Sequence, residues 1–354
     1  MSGWWRAALV LVATAAAFVP TPATTIERFY SGGVYLTLQP RLTSASNRVP
    51  VALFDALIVI GVGAWFVSVT IHLVRARRAS WARRFAGFAL RTAVWAAVAY
   101  LSFLAIWGLN YRRVPLTAKL AFDADAVSAD AARHLALTAI AEVNALHDRA
   151  HIGEWLSDRA LDAPLAQAFA EVQRTLGASR PAVPGRPKRS LLDPYFRRAA
   201  VQGMTDPYFL ETLIESDLLP DERPFAIAHE WSHLAGFADE GEANFVGWLT
   251  CLRAGEAERY SGWLFMFAEI LGALPDRERP NLSAHLAAGP REALRAIAER
   301  IRRDTSPRLS AAGLRVYDRY LKANRVEAGA ASYAEVVRLA LGVHYGADWT
   351  PIRK

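Results

Sequence analysis

Two histidines four residues apart, His229 and His233, enclose a glutamate in the segment His229-Glu230-Trp231-Ser232-His233. On a helix this spacing puts both imidazoles on one face, a turn apart, where they can share one tetrahedral zinc ion. Glu230 stands where HExxH hydrolases keep the glutamate that takes a proton from a water acidified by the metal. The flanks suit a buried helix: Pro224 fits a first helical position, Phe225, Ile227 and Leu234 are apolar, and Gly236 fits an exit. The expected chemistry is metal-assisted hydrolysis.

A catalytic zinc site needs a third protein ligand, and the segment Phe237 to Asn244 offers Asp239, Glu240 and Glu242. If a second helix starts near Asp239, Glu240 shares a face with Ala243, Asn244 and Gly247, small enough to approach the histidine helix closely. Glu242 shares its face with bulky Phe245, Val246 and Leu249. The order of preference is therefore Glu240, then Glu242, then Asp239, with Asn244 orienting one histidine. Asp239 stays in view because His229 to Asp239 also reads HExxHxxGxxD, which resembles the metzincin spacing with aspartate in place of the last histidine. Tyr260 is a candidate to hydrogen-bond the oxyanion of a tetrahedral intermediate. His134, His147, His151, His285 and His344 are assigned to the surface or the core, and Cys251 to a buried apolar position.

Such a site needs a domain to position it, and the 354 residues suffice for an anchor and a soluble unit. The first 110 residues hold three apolar stretches, Trp4 to Val19, Val51 to Val74 and Thr92 to Leu109, with only Glu27 and Asp55 acidic. The last two are long enough to cross about 30 Å of hydrocarbon, and the first is read as an uncleaved span. Between the second and third lie Arg75, Arg77, Arg78, Arg83, Arg84 and Arg91 without an acid, the mark of a cytoplasmic connection. Residues 1–110 are thus expected to be a multi-pass anchor, and residues 111–354 an extracytoplasmic soluble domain. The net charge of +7 follows from these arginines, which argues against nucleic-acid binding. A single cysteine excludes an intrachain disulfide framework.

The expected fold is mainly α. Three transmembrane helices precede a helical, zincin-like metallopeptidase domain with at most a small sheet. Helices are predicted over 125–149, 160–176, 225–234, 242–253, 261–271, 290–303, 309–324 and 333–341. Residues 180–189 read as an exposed basic loop, open to nicking. Residues 203–219 hold the one good strand candidate, and Tyr208 to Ile214 could be the edge along which an extended peptide adds.

The sequence also resembles a known family, the bacterial membrane proteins of domain-of-unknown-function family 3810, regarded as HExxH zinc-peptidase relatives. The resemblance rests on Glu27-Arg28-Phe29-Tyr30-Ser31, Val34-Tyr35, Trp107 to Arg112, His229 to His233 with Gly236 and Phe237, and Glu240 with Glu242 to Phe245. Arg259 to Gly262 and Tyr320-Leu321-Lys322 with Ser332-Tyr333 look like later motifs of the same family. Glu240, Ala243 and Asn244 are also similar to the element that supplies the glutamate ligand in membrane-bound zinc peptidases of the heat-shock-peptidase type. What the resemblance implies is a zinc-dependent peptidase held in the bacterial inner membrane and acting on a peptide or protein substrate. The same residues could instead serve a zinc hydrolase of another envelope amide or ester, or a non-enzymatic membrane assembly protein stapled by zinc.

Overall fold

The computed structural model describes residues 4–152, 162–323 and 335–354. It is mainly helical with one small sheet. The amino-terminal part is built from helices whose side chains are largely apolar. Helix α1 (Trp4–Phe18) stops before Pro20, as a chain without an amide donor there requires. A second helical run, α2 (Ala23–Asn47), includes a π-helical stretch over Ile26–Val34 and leaves α1 at 110°. Two helices follow, α3 (Leu53–Arg75) and α4 (Trp81–Ile106). These two are long and apolar enough to cross a membrane, and a third span exists if the bent pair α1 and α2 counts as one. Their outward faces are apolar, with Val59, Ile60, Phe66 and Val67 all exposed, which suits lipid better than water.

The arginine-rich connection is shorter than expected. Arg83, Arg84 and Arg91 lie inside α4, because arginine is a good helix former and nothing between Trp81 and Thr92 breaks the helix. Antiparallel packing of α3 and α4 brings Trp65 Nε1 to Thr92 Oγ1 at 3.3 Å and seats His72 over Gly87, where a side chain would collide with the ring.

Among the described residues the further helices of seven residues or more are α5 (Ala129–Ala150), α6 (Ala163–Thr175), α7 (Asp193–Ala199), α8 (Arg223–Leu234), α9 (Glu240–Leu252), α10 (Glu256–Ala273), α11 (Ala288–Asp304), α12 (Pro307–Ala323) and α13 (Glu335–Gly342). Ser128 caps α5 by accepting from the Ala131 amide at 3.2 Å, and Leu135, Ile140, Val143 and Leu146 form its buried stripe. The start of the helix expected at Ala160 and the residues Ser332 and Tyr333 lie outside the described residues. Helix α9 is buried along almost its whole length, packed by α8, α10, α6 and α13. One continuous apolar core runs from Tyr30, Tyr35 and Trp107 into Trp231, Phe245 and Trp248. The segments that follow the apolar helices are therefore part of the body that carries the histidines.

The sheet corrects two expectations. Strands β1 (Pro187–Lys188), β2 (Gly203–Thr205) and β3 (Thr212–Ile214) lie in the order β1-β3-β2, with β1 parallel and β2 antiparallel to β3. Residues 180–189 are not an exposed loop: Lys188 is buried and its ammonium pairs with Glu211 and donates to the Ser46 carbonyl. That buried partner offsets a desolvation cost which composition alone would have forbidden. The edges are β1 and β2, and not the run from Tyr208 to Ile214. Asp206 accepts from the amides of Tyr208 at 2.9 Å and Phe209 at 2.7 Å, and Leu210 takes a left-handed φ of 53°. This turn splits the run and leaves Thr212 to Ile214 as the central strand.

Candidate metal centre

Helix α8 begins with Pro224 in its first turn and ends in a left-handed glycine, Gly236, at φ 82°. The Gly236 amide donates to the His233 carbonyl at 2.9 Å and the Phe237 amide to the Ser232 carbonyl at 3.1 Å. This is a Schellman turn, and it requires a residue without Cβ at the reversed position. The reversal carries the Phe237 carbonyl back to His233, whose Nδ1 lies 2.7 Å from that oxygen. Nδ1 is thereby the donor, and the lone pair of Nε2 is left to face outward.

Helix α9 supplies the carboxylate. Asp239 caps it by accepting from the Glu242 amide at 3.1 Å, so the helix starts at Glu240, one turn from where α8 ends. Gly247 lets the two helices touch: a Cβ there would lie 3.0 Å from the His229 nitrogen and 3.1 Å from its Cα. Backbone-to-backbone approach at that point swings Glu240 over the histidines.

The result is a convergence of three donor atoms. Glu240 Oε2 lies 3.3 Å from His229 Nε2 and 3.6 Å from His233 Nε2. Among the described residues, His229, His233 and Glu240 form the one group of three or more metal-ligating side chains whose donor atoms lie within 4.8 Å of one another. Bonds of about 2.0–2.1 Å at tetrahedral angles put neighbouring ligand atoms about 3.3 Å apart, so the observed separations fit a small divalent ion. The group can hold a metal. Without an ion the electrostatics are those of a charged pair. Burial would raise the Glu240 carboxyl, but His233 and His229 hold it far below the usual carboxylate range. Burial would lower His233, but Glu240 outweighs it and lifts the imidazole to about 9.

Glu230 is buried but outside this trio. Its Oε2 accepts from Thr205 Oγ1 at 2.9 Å, and its Oε1 faces Gly203, where a Cβ would approach to 2.9 Å. The edge strand β2 thus backs the glutamate. Burial pushes its carboxyl up, against the opposing pull of His229 and His233.

Other residues singled out from the sequence lie elsewhere. Glu242 Oε1 accepts from the Leu116 amide at 2.5 Å, and burial lifts this carboxyl to about 7. Asp239 is a helix cap. Asn244 is buried, but among the described residues no hydrogen bond joins it to either imidazole; the orienting group is the Phe237 carbonyl. Tyr260 packs its ring against His147 and His151, at 5.7 and 5.4 Å, with its hydroxyl buried and, among the described residues, without a hydrogen-bond partner. It stands nine residues before Glu269 on α10, a rise of about 13 Å away from the His229 end of that helix.

Glu269 itself is a site residue that the sequence does not announce. Phe265 stacks on Phe225 with centroids 3.5 Å apart, and Phe225 sits 6.2 Å from the His229 ring. One turn further along α10, the Glu269 carboxyl is lifted by burial to about 7 against the pull of His229. The signal was present as the Phe265 and Glu269 spacing, but only the pairing of α10 with α8 gives it meaning.

The carboxyl end of α8 is held from the membrane side. Its terminal carbonyls lack helical partners, and three side chains supply them. Trp107 Nε1 donates to the His233 carbonyl at 3.0 Å, the Tyr35 hydroxyl to that of Leu234 at 2.9 Å, and Arg113 to that of Gly236 at 2.9 Å. Glu27 anchors Arg113 by accepting from Nε and Nη2 at 3.2 and 3.1 Å.

The family described as protein of unknown function (DUF3810) matches residues 30–341, and the chain belongs to it. No curated protein and no solved structure matches the chain.

Proposed function

We propose that the chain is a membrane-anchored zinc hydrolase of peptide bonds, with residues 1–110 as anchor and residues 111–354 as the catalytic part. The observation that carries this reading is the meeting of His229, His233 and Glu240 at tetrahedral spacing, beside a buried glutamate that is not one of the three. Three protein donors are the complement of a catalytic zinc, whereas structural zinc sites are usually closed by four. His229, His233 and Glu240 are the residues that hold the ion; when bound, zinc polarises a carbonyl and activates water for attack on it.

The other roles belong to the chain. Glu230 takes a proton and returns it to the leaving amine, and Thr205 fixes which way its carboxylate points. Phe237 fixes the tautomer of His233. The choice of a peptide rests on β2, an edge of the sheet among the described residues, whose Gly203 and Thr205 present one face to Glu230, so that an extended chain can add beside it as a further strand. The turn between α3 and α4, with Arg77 and Arg78, is assigned to the cytoplasmic side and the catalytic part to the opposite side, in the inner membrane of a bacterium. Arg113 and Lys119, on the far side, are engaged by Glu27.

Glu230→Gln tests this directly on the purified full chain. Hydrolysis of an unstructured protein such as casein should be abolished while zinc content stays at the wild-type level. Turnover equal to wild type in that variant contradicts the role of Glu230, and loss of zinc contradicts its place outside the ligand set.

A further inference from the structure

On the far side of the turn at Ala235 to Phe237 lies a cavity of about 310 Å³, separate from the metal group. None of His229, Glu230, His233 or Glu240 lines it. Its charged lining consists of Arg113, Lys119, Arg180 and Arg353 against the single carboxylate of Glu27. Arg113 and Lys119 both pair with Glu27, at 3.1 and 2.5 Å. Arg180 and Arg353 form no ion pair among the described residues, and the Arg353 guanidinium packs over Gly177, where an added Cβ would lie 2.5 Å from its Cζ. Glu27 neutralises one of four cations, so the cavity keeps an excess of three positive charges.

Its position narrows the choice of ligand. One wall is α2, which departs from α1 at 110°, and another is the segment after α4. The Tyr30 hydroxyl donates to the Ala105 carbonyl at 3.1 Å and Arg112 to the Ala16 carbonyl at 2.8 Å, which ties these walls to the ends of the apolar helices. Phe29 and Val34 on α2 are exposed apolar residues next to those ends. A cavity of this size at the edge of the hydrocarbon, with unneutralised guanidinium groups, has the chemistry of a phosphate site.

We propose that this cavity binds a phosphate group, with Arg180 and Arg353 as its direct partners and Arg113 and Lys119 as the fixed positive floor. The group arrives either on a lipid headgroup or as a free phosphate. The test uses the detergent-solubilised full chain, wild type and the Arg180→Gln, Arg353→Gln double variant, followed by thermal unfolding. The probes are inorganic phosphate, micelles doped with phosphatidylglycerol, and micelles doped with a neutral glycolipid of the same chain length. Phosphatidylglycerol, phosphate or both should raise the melting temperature of the wild type, with apparent affinity about tenfold or more weaker in the double variant, and the neutral lipid should do nothing. Stabilisation by phosphatidylglycerol alone assigns the site to a headgroup, and stabilisation by both probes assigns it to the phosphate itself. Stabilisation by phosphate alone assigns it to a free anion. No shift with either anionic probe, or equal shifts in both proteins, overturns the proposal. Both arginines are exposed, so the variant keeps its fold.

Discussion

Two pairs of histidines stand four residues apart, His147 in the last turn of α5 with His151 just past its end, and His229 and His233 within α8, and their fates differ. The rings of His147 and His151 lie 4.5 Å apart, yet three of their four nitrogens are committed elsewhere. His151 Nε2 faces Asp221 at 3.0 Å, its Nδ1 faces the His147 carbonyl at 2.6 Å, and His147 Nδ1 faces Asp148 at 3.0 Å. The α8 rings spend only one nitrogen on the backbone and turn both Nε2 atoms to the same Glu240 oxygen. Spacing on a helix is therefore a precondition and not a site. A crossing helix close enough to deliver a carboxylate makes the difference, and Gly247 permits that crossing.

The largest contrast should appear in metal retention. His229→Ala or His233→Ala should remove bound zinc from the purified protein, while His147→Ala and His151→Ala leave it unchanged, as read by elemental analysis. Zinc that follows the α5 pair would reverse the comparison. Next in size, Gly247→Leu places a side chain against the α8 backbone, which cannot yield as a flexible side chain would. We expect about 3 kcal/mol or more of destabilisation in denaturant unfolding together with lost zinc, and unchanged values would show that the close approach is not needed.

A smaller effect separates the two pairs by their supports. Arg113→Ala frees the turn at Gly236 and with it the carbonyl that orients His233, so zinc affinity should fall about tenfold in competition with a chelator. A different kind of effect, read against pH, lies in the turn before β3. Burial lifts the Asp206 carboxyl to about 7 from 3.8, against the amides of Tyr208 and Phe209. Between those values the folded chain holds a proton that the unfolded chain has released, so this group makes stability fall as pH rises from about 4 to about 7. Asp206→Asn should flatten that part of the stability curve; an unchanged slope would place the titration elsewhere.

Local periodicity is what made part of the site legible. The shared face of His229 and His233, the helix start near Asp239, and the small face of Glu240, Ala243 and Gly247 are all set within a turn or two of helix, where spacing dictates direction. The mainly α fold and the long apolar helices α3 and α4 were legible for the same reason. What composition misread was long-range. Lys188 lies in a stretch of arginine, proline and glycine that reads as surface, and its burial is made tolerable by Glu211, just before β3, and by the Ser46 carbonyl. Glu269 acquires its place through the stacking of Phe265 on Phe225. His147 and His151 are also four residues apart, and the ring of Tyr260, the oxyanion candidate, packs on that second pair, a contact that joins α10 to the end of α5 and has no local signal.

X-ray absorption at the zinc edge of the metal-loaded full chain tests the convergence of His229, His233 and Glu240 most directly. The account predicts first neighbours of nitrogen and oxygen only, with the outer scattering of two imidazoles, and the loss of one imidazole's contribution in a zinc-reloaded His233→Ala sample. A sulfur neighbour, or a spectrum that His233→Ala leaves unaltered, would contradict it.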